Sequence, residues 1–226
     1  MLNHRAATRA SQIWNLLIVL VVVVAVVVQL AMVIQGKHVL TDPNGKLPNV
    51  AERILRFFSY FTIQSNILCA ITAATLIVDP QRDGRIWRVI RLDAIVGITI
   101  TGIIYATLLA PIVNLHGVAA LTNTAFHYVV PIITLLGWLV FGPHDLIDTE
   151  TLLPSMIWPL LYMVYTVIHG EISNWYPYPF VDVSKLGYQI TLRNALGIMV
   201  LLLGVSVLFM LLDRRFARRS GADLVH

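Results

Sequence analysis

The chain has 226 residues, of which 58% are hydrophobic and only 12% charged, with a formal net charge of +4; its mean hydropathy is +0.78. A soluble domain carries about 25% charged residues, so the composition excludes a disordered chain, a soluble enzyme and a coiled coil, and points to a polytopic membrane protein. The single cysteine, Cys69, lies in an apolar run, which excludes an intramolecular disulfide and any cysteine-built zinc or iron–sulfur site.

Six stretches are long and apolar enough to cross a bilayer, near residues 12–35, 54–78, 90–111, 120–141, 153–170 and 188–212. The expected fold is all-α, six transmembrane helices in one bundle formed by residues 1–226. The first stretch, from Ile13 to Ile34, is rich in valine, yet in lipid a spanning segment must satisfy its own backbone, so helix prevails. Its apolar core is too long for a signal peptide and no small-residue cleavage site follows, so it reads as a mature helix. The second stretch carries Ser59, Thr62 and Asn66 at a spacing that places them on one helical stripe. The third brings Tyr105 and Thr107 toward its later end, with Asp93 nearer its start. The fourth carries Asn123, His127 and Thr134 on one stripe. The fifth ends with Tyr165, Thr166 and His169, and the sixth begins close to Arg193. Breakers separate the stretches: Asp42-Pro43-Asn44-Gly45, Asp79-Pro80 with Asp83-Gly84, His116-Gly117, Gly142-Pro143, and Tyr176-Pro177-Tyr178-Pro179. Gly97 with Thr101, and Gly197 with Gly204, read as places of close helix packing.

Charge asymmetry sets an expected orientation. Arg5, Arg9, Arg82, Arg85, Arg88, Arg91, Arg214, Arg215, Arg218 and Arg219 fall on one side, while Lys37, Lys46, Arg53 and Lys185 fall on the other, next to Arg56 and Arg193. The positive-inside rule then places both termini in the cytoplasm, and the Trp175, Tyr176 and Tyr178 cluster at the outer interface of a plasma membrane. Counting 1.5 Å per residue from the outer helix ends, Thr62 lies about 12 Å deep, His127 about 10 Å and Arg193 about 8 Å. The polar residues of five helices thus converge on one outer-leaflet slab.

Polar side chains at membrane depth are costly and usually face a cavity or the bundle interior. A hydroxyl beside an imidazole is the minimum set for nucleophilic acyl transfer, with the base taking the proton as the oxygen attacks a carbonyl. Thr62 as nucleophile and His127 as base match on depth. Asn66, Gln64 or Asn123 offers an amide to the oxyanion, and Arg193 offers a fork to a substrate carboxylate. Ser59, Tyr105 and His169 support the pocket, and Tyr176 stands at its mouth. No carboxylate shares the His127 layer, Glu171 at the rim being the nearest. The substrate implied is a lipid or fatty-acid ester drawn from the bilayer. No cofactor, metal or nucleic acid is called for. The competing reading is a lipid-binding or transport-like protein that uses the same cavity without chemistry. A haem held by His127 and His169 ranks last, because their depths differ.

Three runs also carry a resemblance. They are Phe58-Ser59-Tyr60-Phe61-Thr62-Ile63-Gln64-Ser65-Asn66, then Phe126-His127-Tyr128-Val129-Val130-Pro131, then Trp158-Pro159 with Tyr162, Tyr165, Gly170 and Trp175-Tyr176-Pro177-Tyr178-Pro179-Phe180-Val181-Asp182-Val183. Together they resemble the bacterial "Pr-six-Pr" membrane proteins, distant relatives of the androgen-induced and FAR-type integral membrane proteins of animals. The resemblance covers most of the chain, from about Phe57 to Asp213. It implies six helices and hydrolysis of fatty acid esters of hydroxy fatty acids. Thr62, which follows Tyr60-Phe61, takes the nucleophile's place, and His127, which precedes Val129 to Pro131, takes the base's.

Overall fold

The computed structural model describes residues 2–37 and 46–222. The predicted turn at Asp42-Pro43-Asn44-Gly45 lies outside the described residues, as do the side chains of Arg5, Arg218 and Arg219. The protein is all-α. In chain order the helices are α1 (Leu2–Ile34), α2 (Val50–Phe58), α3 (Phe61–Val78), α4 (Arg85–Ile104), α5 (Gly117–Thr124), α6 (Val130–Phe141), α7 (Thr149–Ser155), α8 (Ile157–Ser173) and α9 (Val183–Ala222). Six segments among the described residues are long and apolar enough to cross a membrane: Ala6–Ile34, Phe61–Val78, Arg85–Ile112, Gly117–Phe141, Thr149–Ser173 and Val183–Ala217. The architecture is that of a polytopic membrane protein.

The burial pattern shows why. Ile18 and Val22 of α1 meet Cys69 and Ala73 of α3, Ala94 and Ile98 of α4, and Val130 of α6 in one cluster. A second cluster joins Leu92, Ile95 and Ile100 of α4 to Trp138 of α6, Leu152 of α7 and Leu202, Val205 and Phe209 of α9. Helix α4 therefore runs through the middle. The outward faces are as apolar as the core: Ile13, Val24, Leu121 and Leu196 are all exposed. A water-soluble protein rarely exposes a continuous apolar surface of this kind, whereas lipid tails match it.

Polar bonds tie helix to helix inside this apolar mass. Trp14 Nε1 donates to the Ile133 carbonyl at 2.8 Å, and Gln12 Nε2 to the Ile77 carbonyl at 2.7 Å. The indole of Trp14 lies where a Cβ on Gly137 would come within 2.8 Å of it. Close packing at Gly97 is found, where a Cβ would meet Ser65 and Trp158 at 2.9 Å. Gly197 and Gly204 instead face open space, so the expected helix contact there does not form.

The second predicted stretch is not one helix. It breaks at Ser59 and Tyr60, between amphipathic α2 and apolar α3. Tyr60 is extended (φ −74°, ψ 128°) and its carbonyl accepts from the amides of Ile63 and Gln64. Ser59 ends α2, its hydroxyl bonded to the Leu55 carbonyl at 2.8 Å. The break moves Thr62 from mid-helix to the first turn of a spanning helix and takes Ser59 off its stripe.

Candidate functional site

Helix α3 starts without a side-chain cap, since its N-cap is Tyr60. Its first amides must find partners elsewhere. Two phenols supply them. The Phe61 N–H donates to Tyr162 Oη of α8 at 3.2 Å, and the Thr62 N–H donates to Tyr178 Oη at 3.2 Å. Tyr162 in turn donates to the Ser59 carbonyl at 3.0 Å.

This start frees the Thr62 hydroxyl. A helical threonine usually donates to a carbonyl three or four residues back. Thr72, Thr75, Thr99, Thr107 and Thr122 all do so. For Thr62 those carbonyls belong to Phe58 and Ser59, and they are taken by Gln64 and Tyr162. Thr62 Oγ1 lies instead 3.3 Å from His127 Nε2 and 3.3 Å from Tyr178 Oη.

His127 is held in one tautomer. Its Nδ1 lies 2.9 Å from the Asn123 carbonyl. A carbonyl only accepts, so Nδ1 carries the proton and Nε2 presents a lone pair to Thr62. The geometry is that of a nucleophile and base, at the long end of hydrogen-bond reach. The group orienting the histidine is a backbone carbonyl. Glu171 accepts from Tyr188 at 2.7 Å and Tyr176 at 3.5 Å and is exposed, so it does not fill that place.

Two π-helical turns bring the imidazole there. One is Ala125–Val129, which contains His127, and the other is Tyr105–Leu109. Pro131 has no N–H for the His127 carbonyl and Pro111 none for that of Thr107, so the α-helical ladder is interrupted at both. The two turns meet: the Tyr105 ring stacks on His127 with centroids 3.9 Å apart and planes at 22°. Asn123 Nδ2 donates to Tyr105 Oη at 2.5 Å. Asn123 therefore holds His127 by its carbonyl and Tyr105 by its side chain. Gly102 of α4 lets the helix come close, since a Cβ there would lie 3.4 Å from the His127 carbonyl and from Pro131.

A chamber of about 380 Å³ opens over this pair, lined by Thr62, His127, Tyr105 and Asn123 on one side and by Arg53, Arg56, Trp175 and Tyr178 on another. A second, mostly apolar hollow of about 50 Å³ lies behind it, between Ile104, Met163, Phe180, Met199 and Leu202. Thr62, Leu109 and Tyr178 line both and so form the partition.

The chamber is covered by a strap, residues 174–182, which links α8 to α9. Asn174 turns the chain in the left-handed region (φ 53°). The Trp175 indole then packs edge-on against Tyr60 (5.5 Å) and beneath the Arg56 guanidinium (5.3 Å). Tyr178 packs edge-on against Tyr60 at 5.7 Å and stacks on Phe180 at 5.1 Å. Asn194 of α9 fastens the strap by donating to the Phe180 carbonyl at 2.9 Å. Burial raises the Tyr178 phenol above its ordinary range, so it remains a protonated donor at neutral pH.

Several predicted residues fall elsewhere. Arg193 is exposed on α9, because Thr191 and Ala195 turn inward on that helix and Asn194 is spent on the strap. The guanidiniums at the chamber come from α2. Arg56 is ion-paired with Glu52. Arg53 closes the end of α1 through the carbonyls of Val33, Ile34 and Pro48. Asn66 cannot serve as an oxyanion donor, since its Nδ2 bonds the Thr62 carbonyl at 2.8 Å and the Phe126 carbonyl at 3.3 Å. Asn123 has its amide on Tyr105, and Gln64 has its amide on Phe58. Ser59 contacts Tyr165 Oη at 2.6 Å, away from the chamber lining. His169 stacks on Tyr165 (5.4 Å) and meets Trp175 edge-on (5.9 Å), which supports the strap from behind. Tyr176 turns over Gly170, where a Cβ would lie 1.9 Å from its ring, and does not line the chamber mouth. The residues that the sequence reading passes over are Tyr162, Tyr178 and Arg56. The Tyr-Pro-Tyr-Pro run is a visible signal, but interface anchoring accounts for it equally well.

No protein-family model, curated protein or solved structure matches the chain.

Proposed function

We propose that this protein is a membrane-embedded hydrolase of fatty-acid esters, with Thr62 as nucleophile and His127 as general base. The observation that carries the reading is the Thr62 hydroxyl. It is withheld from every helical carbonyl and faces the unprotonated nitrogen of a histidine locked in one tautomer, beside a chamber. In the reaction, Thr62 Oγ attacks the ester carbonyl carbon while its proton passes to His127 Nε2. The tetrahedral adduct collapses and the C–O bond to the alcohol breaks. The leaving oxygen takes the proton back from His127, and an acyl-threonine remains. Water then attacks the acyl carbon, giving its proton to His127, and the fatty acid leaves as Thr62 Oγ is reprotonated.

The resemblance to the bacterial "Pr-six-Pr" proteins supports the same two roles. With both termini cytoplasmic, as the arginine distribution favours, the chamber opens in the outer leaflet of the plasma membrane. An ester entering sideways from the bilayer then meets Thr62 without crossing the membrane.

The test is covalent labelling of purified protein with a fluorophosphonate, on wild type, Thr62→Ala and His127→Ala. Labelling of wild type that is lost in both variants supports an activated nucleophile. Absence of labelling in folded wild type overturns the hydrolase reading in favour of a lipid binder, and co-purifying lipid then becomes the object to identify.

A further inference from the structure

We infer that Tyr178 donates the hydrogen bond that stabilises the oxyanion when Thr62 attacks. The inference rests on the hydrolase reading and adds a residue to it.

An acyl-transfer site needs a donor aimed at the carbonyl oxygen as it gains charge. Around Thr62 the backbone amides are taken, and each nearby side-chain amide is already held by an acceptor elsewhere. The Phe61 amide is bonded to Tyr162, and the Ile63 and Gln64 amides to the Tyr60 carbonyl. The side-chain amides of Asn66, Asn123 and Gln64 are bonded to Thr62 and Phe126, to Tyr105, and to Phe58. Tyr178 is placed differently. Its oxygen accepts the Thr62 N–H at 3.2 Å and lies 3.3 Å from Thr62 Oγ1; with the Thr62 proton turned to His127 Nε2, the phenol is the donor of that pair. Tyr60 and Tyr105 also line the chamber, but neither phenol lies within hydrogen-bond distance of Thr62.

The resting bond is a stand-in for the reacting one. When Thr62 Oγ1 gives its proton to His127 and bonds to the acyl carbon, its lone pair ceases to be the best acceptor nearby. The carbonyl oxygen, now negative and one bond further on, takes the Tyr178 proton's hydrogen bond. No proton is transferred: the phenol remains a phenol and the oxyanion collapses with its electrons. The Thr62 amide, polarising the phenol oxygen at the start of α3, strengthens the donor, since the helix N-terminus favours negative charge there. The position of Tyr178 is fixed by its ring contacts to Tyr60 and Phe180 and by Asn194 on the Phe180 carbonyl. The donor is therefore organised before the substrate arrives.

The test is steady-state hydrolysis of a p-nitrophenyl acyl ester by wild type and Tyr178→Phe, which keeps the ring and removes only the hydroxyl. The expected result is a fall in kcat of about 10²- to 10³-fold with KM nearly unchanged. Binding of a trifluoromethyl ketone, whose adduct carries an oxyanion, weakens by a similar factor, while binding of the product fatty acid does not. A structural role alone would move both. Should Tyr178→Phe fail to fold, a fluorinated tyrosine at position 178 keeps the question open to measurement: a more acidic phenol raises kcat, and an unchanged kcat overturns the inference. A folded Tyr178→Phe with wild-type kcat overturns the role of Tyr178 and leaves the hydrolase intact. A wild type inert toward esters overturns the hydrolase reading and this role with it.

Discussion

His127 and His144 belong to the same stretch of chain, one within the spanning helix and one just past its end, and both hand one ring N–H to a backbone carbonyl at 2.9 Å. What surrounds the second nitrogen separates them. That of His127 meets a hydroxyl with no other helical use, at the wall of a 380 Å³ chamber. His144 is packed among rings, edge-on to Trp138 at 5.4 Å and 5.0 Å from Phe216. Beside it Asp213 of α9 accepts from the amides of Leu146 and Ile147 at 2.7 and 2.9 Å, which clamps α9 to the α6–α7 connection. One histidine stands at a cavity beside a threonine hydroxyl, and the other closes a joint. A buried imidazole acquires chemistry from its second partner and from space, not from its tautomer.

The largest effect that sharpens the contrast is on turnover. His127→Ala and Thr62→Ala are each expected to lower ester hydrolysis by about 10⁴-fold or more, while His144→Ala leaves the rate at wild type and lowers the unfolding temperature in detergent. His144 is also shifted: burial holds its pKa below the ordinary 6.5. A native pKa below the unfolded one gives stability that is complete above pH 6.5 and is lost as pH falls. Thermal melts should show that slope in wild type and less of it in His144→Ala. Equal rates for the His127 and His144 variants would erase the distinction.

Next in size is the joint itself. Asp213→Ala leaves two amide N–H groups without their acceptor, a loss of about 2–3 kcal/mol in stability, with hydrolysis of the folded fraction unaffected. A fall in kcat for the folded protein would mean that the two regions are coupled.

At the other end, Gly170→Ala drives a Cβ into the Tyr176 ring, which must shift with the strap. Overpacking of this kind costs about 1–3 kcal/mol. Because the strap carries Trp175 and Tyr178, KM and kcat should both worsen, unlike in the Asp213 variant. Wild-type kinetics in the Gly170→Ala variant would show that strap position does not govern the chamber.

The smallest effect is expected at the exposed Asp83–Arg88 pair, whose guanidinium also comes within 4.0 Å of Asp148 at the start of α7. The Arg88 guanidinium at 2.6 Å holds the Asp83 carboxyl down to about 2. The pair's stabilisation is present above about pH 4 and fades as pH falls toward 2. Being exposed, it contributes at most about 1 kcal/mol, so Asp83→Asn should lower the melting temperature slightly at pH 7 and hardly at pH 2.

Much of this is legible in the sequence. Apolar run length specifies the six spans, because a bilayer demands about 20 such residues whatever they pack against. The pairing of Thr62 with His127 is legible, and the two lie in contact, although the depth count behind it runs along a helix that breaks at Ser59 and Tyr60. Three features need the folded chain. The break at Ser59 and Tyr60 is hidden because an apolar run continues through it, and the partners that stabilise α3's start come from α8 and the strap. Arg193 and Arg56 both read as polar residues near a helix start. Only the rotation of each helix turns Arg56 into the chamber and leaves Arg193 outside. Finally, Asn66 reads as a donor until the backbone carbonyls that claim its amide are in view. Sequence by itself determined which segments are long and apolar enough to cross a membrane, since that follows from counting apolar residues along the chain. Tertiary structure decided which of their polar residues face one another, because helix rotation and the path of a connecting strap depend on contacts between residues far apart in the chain.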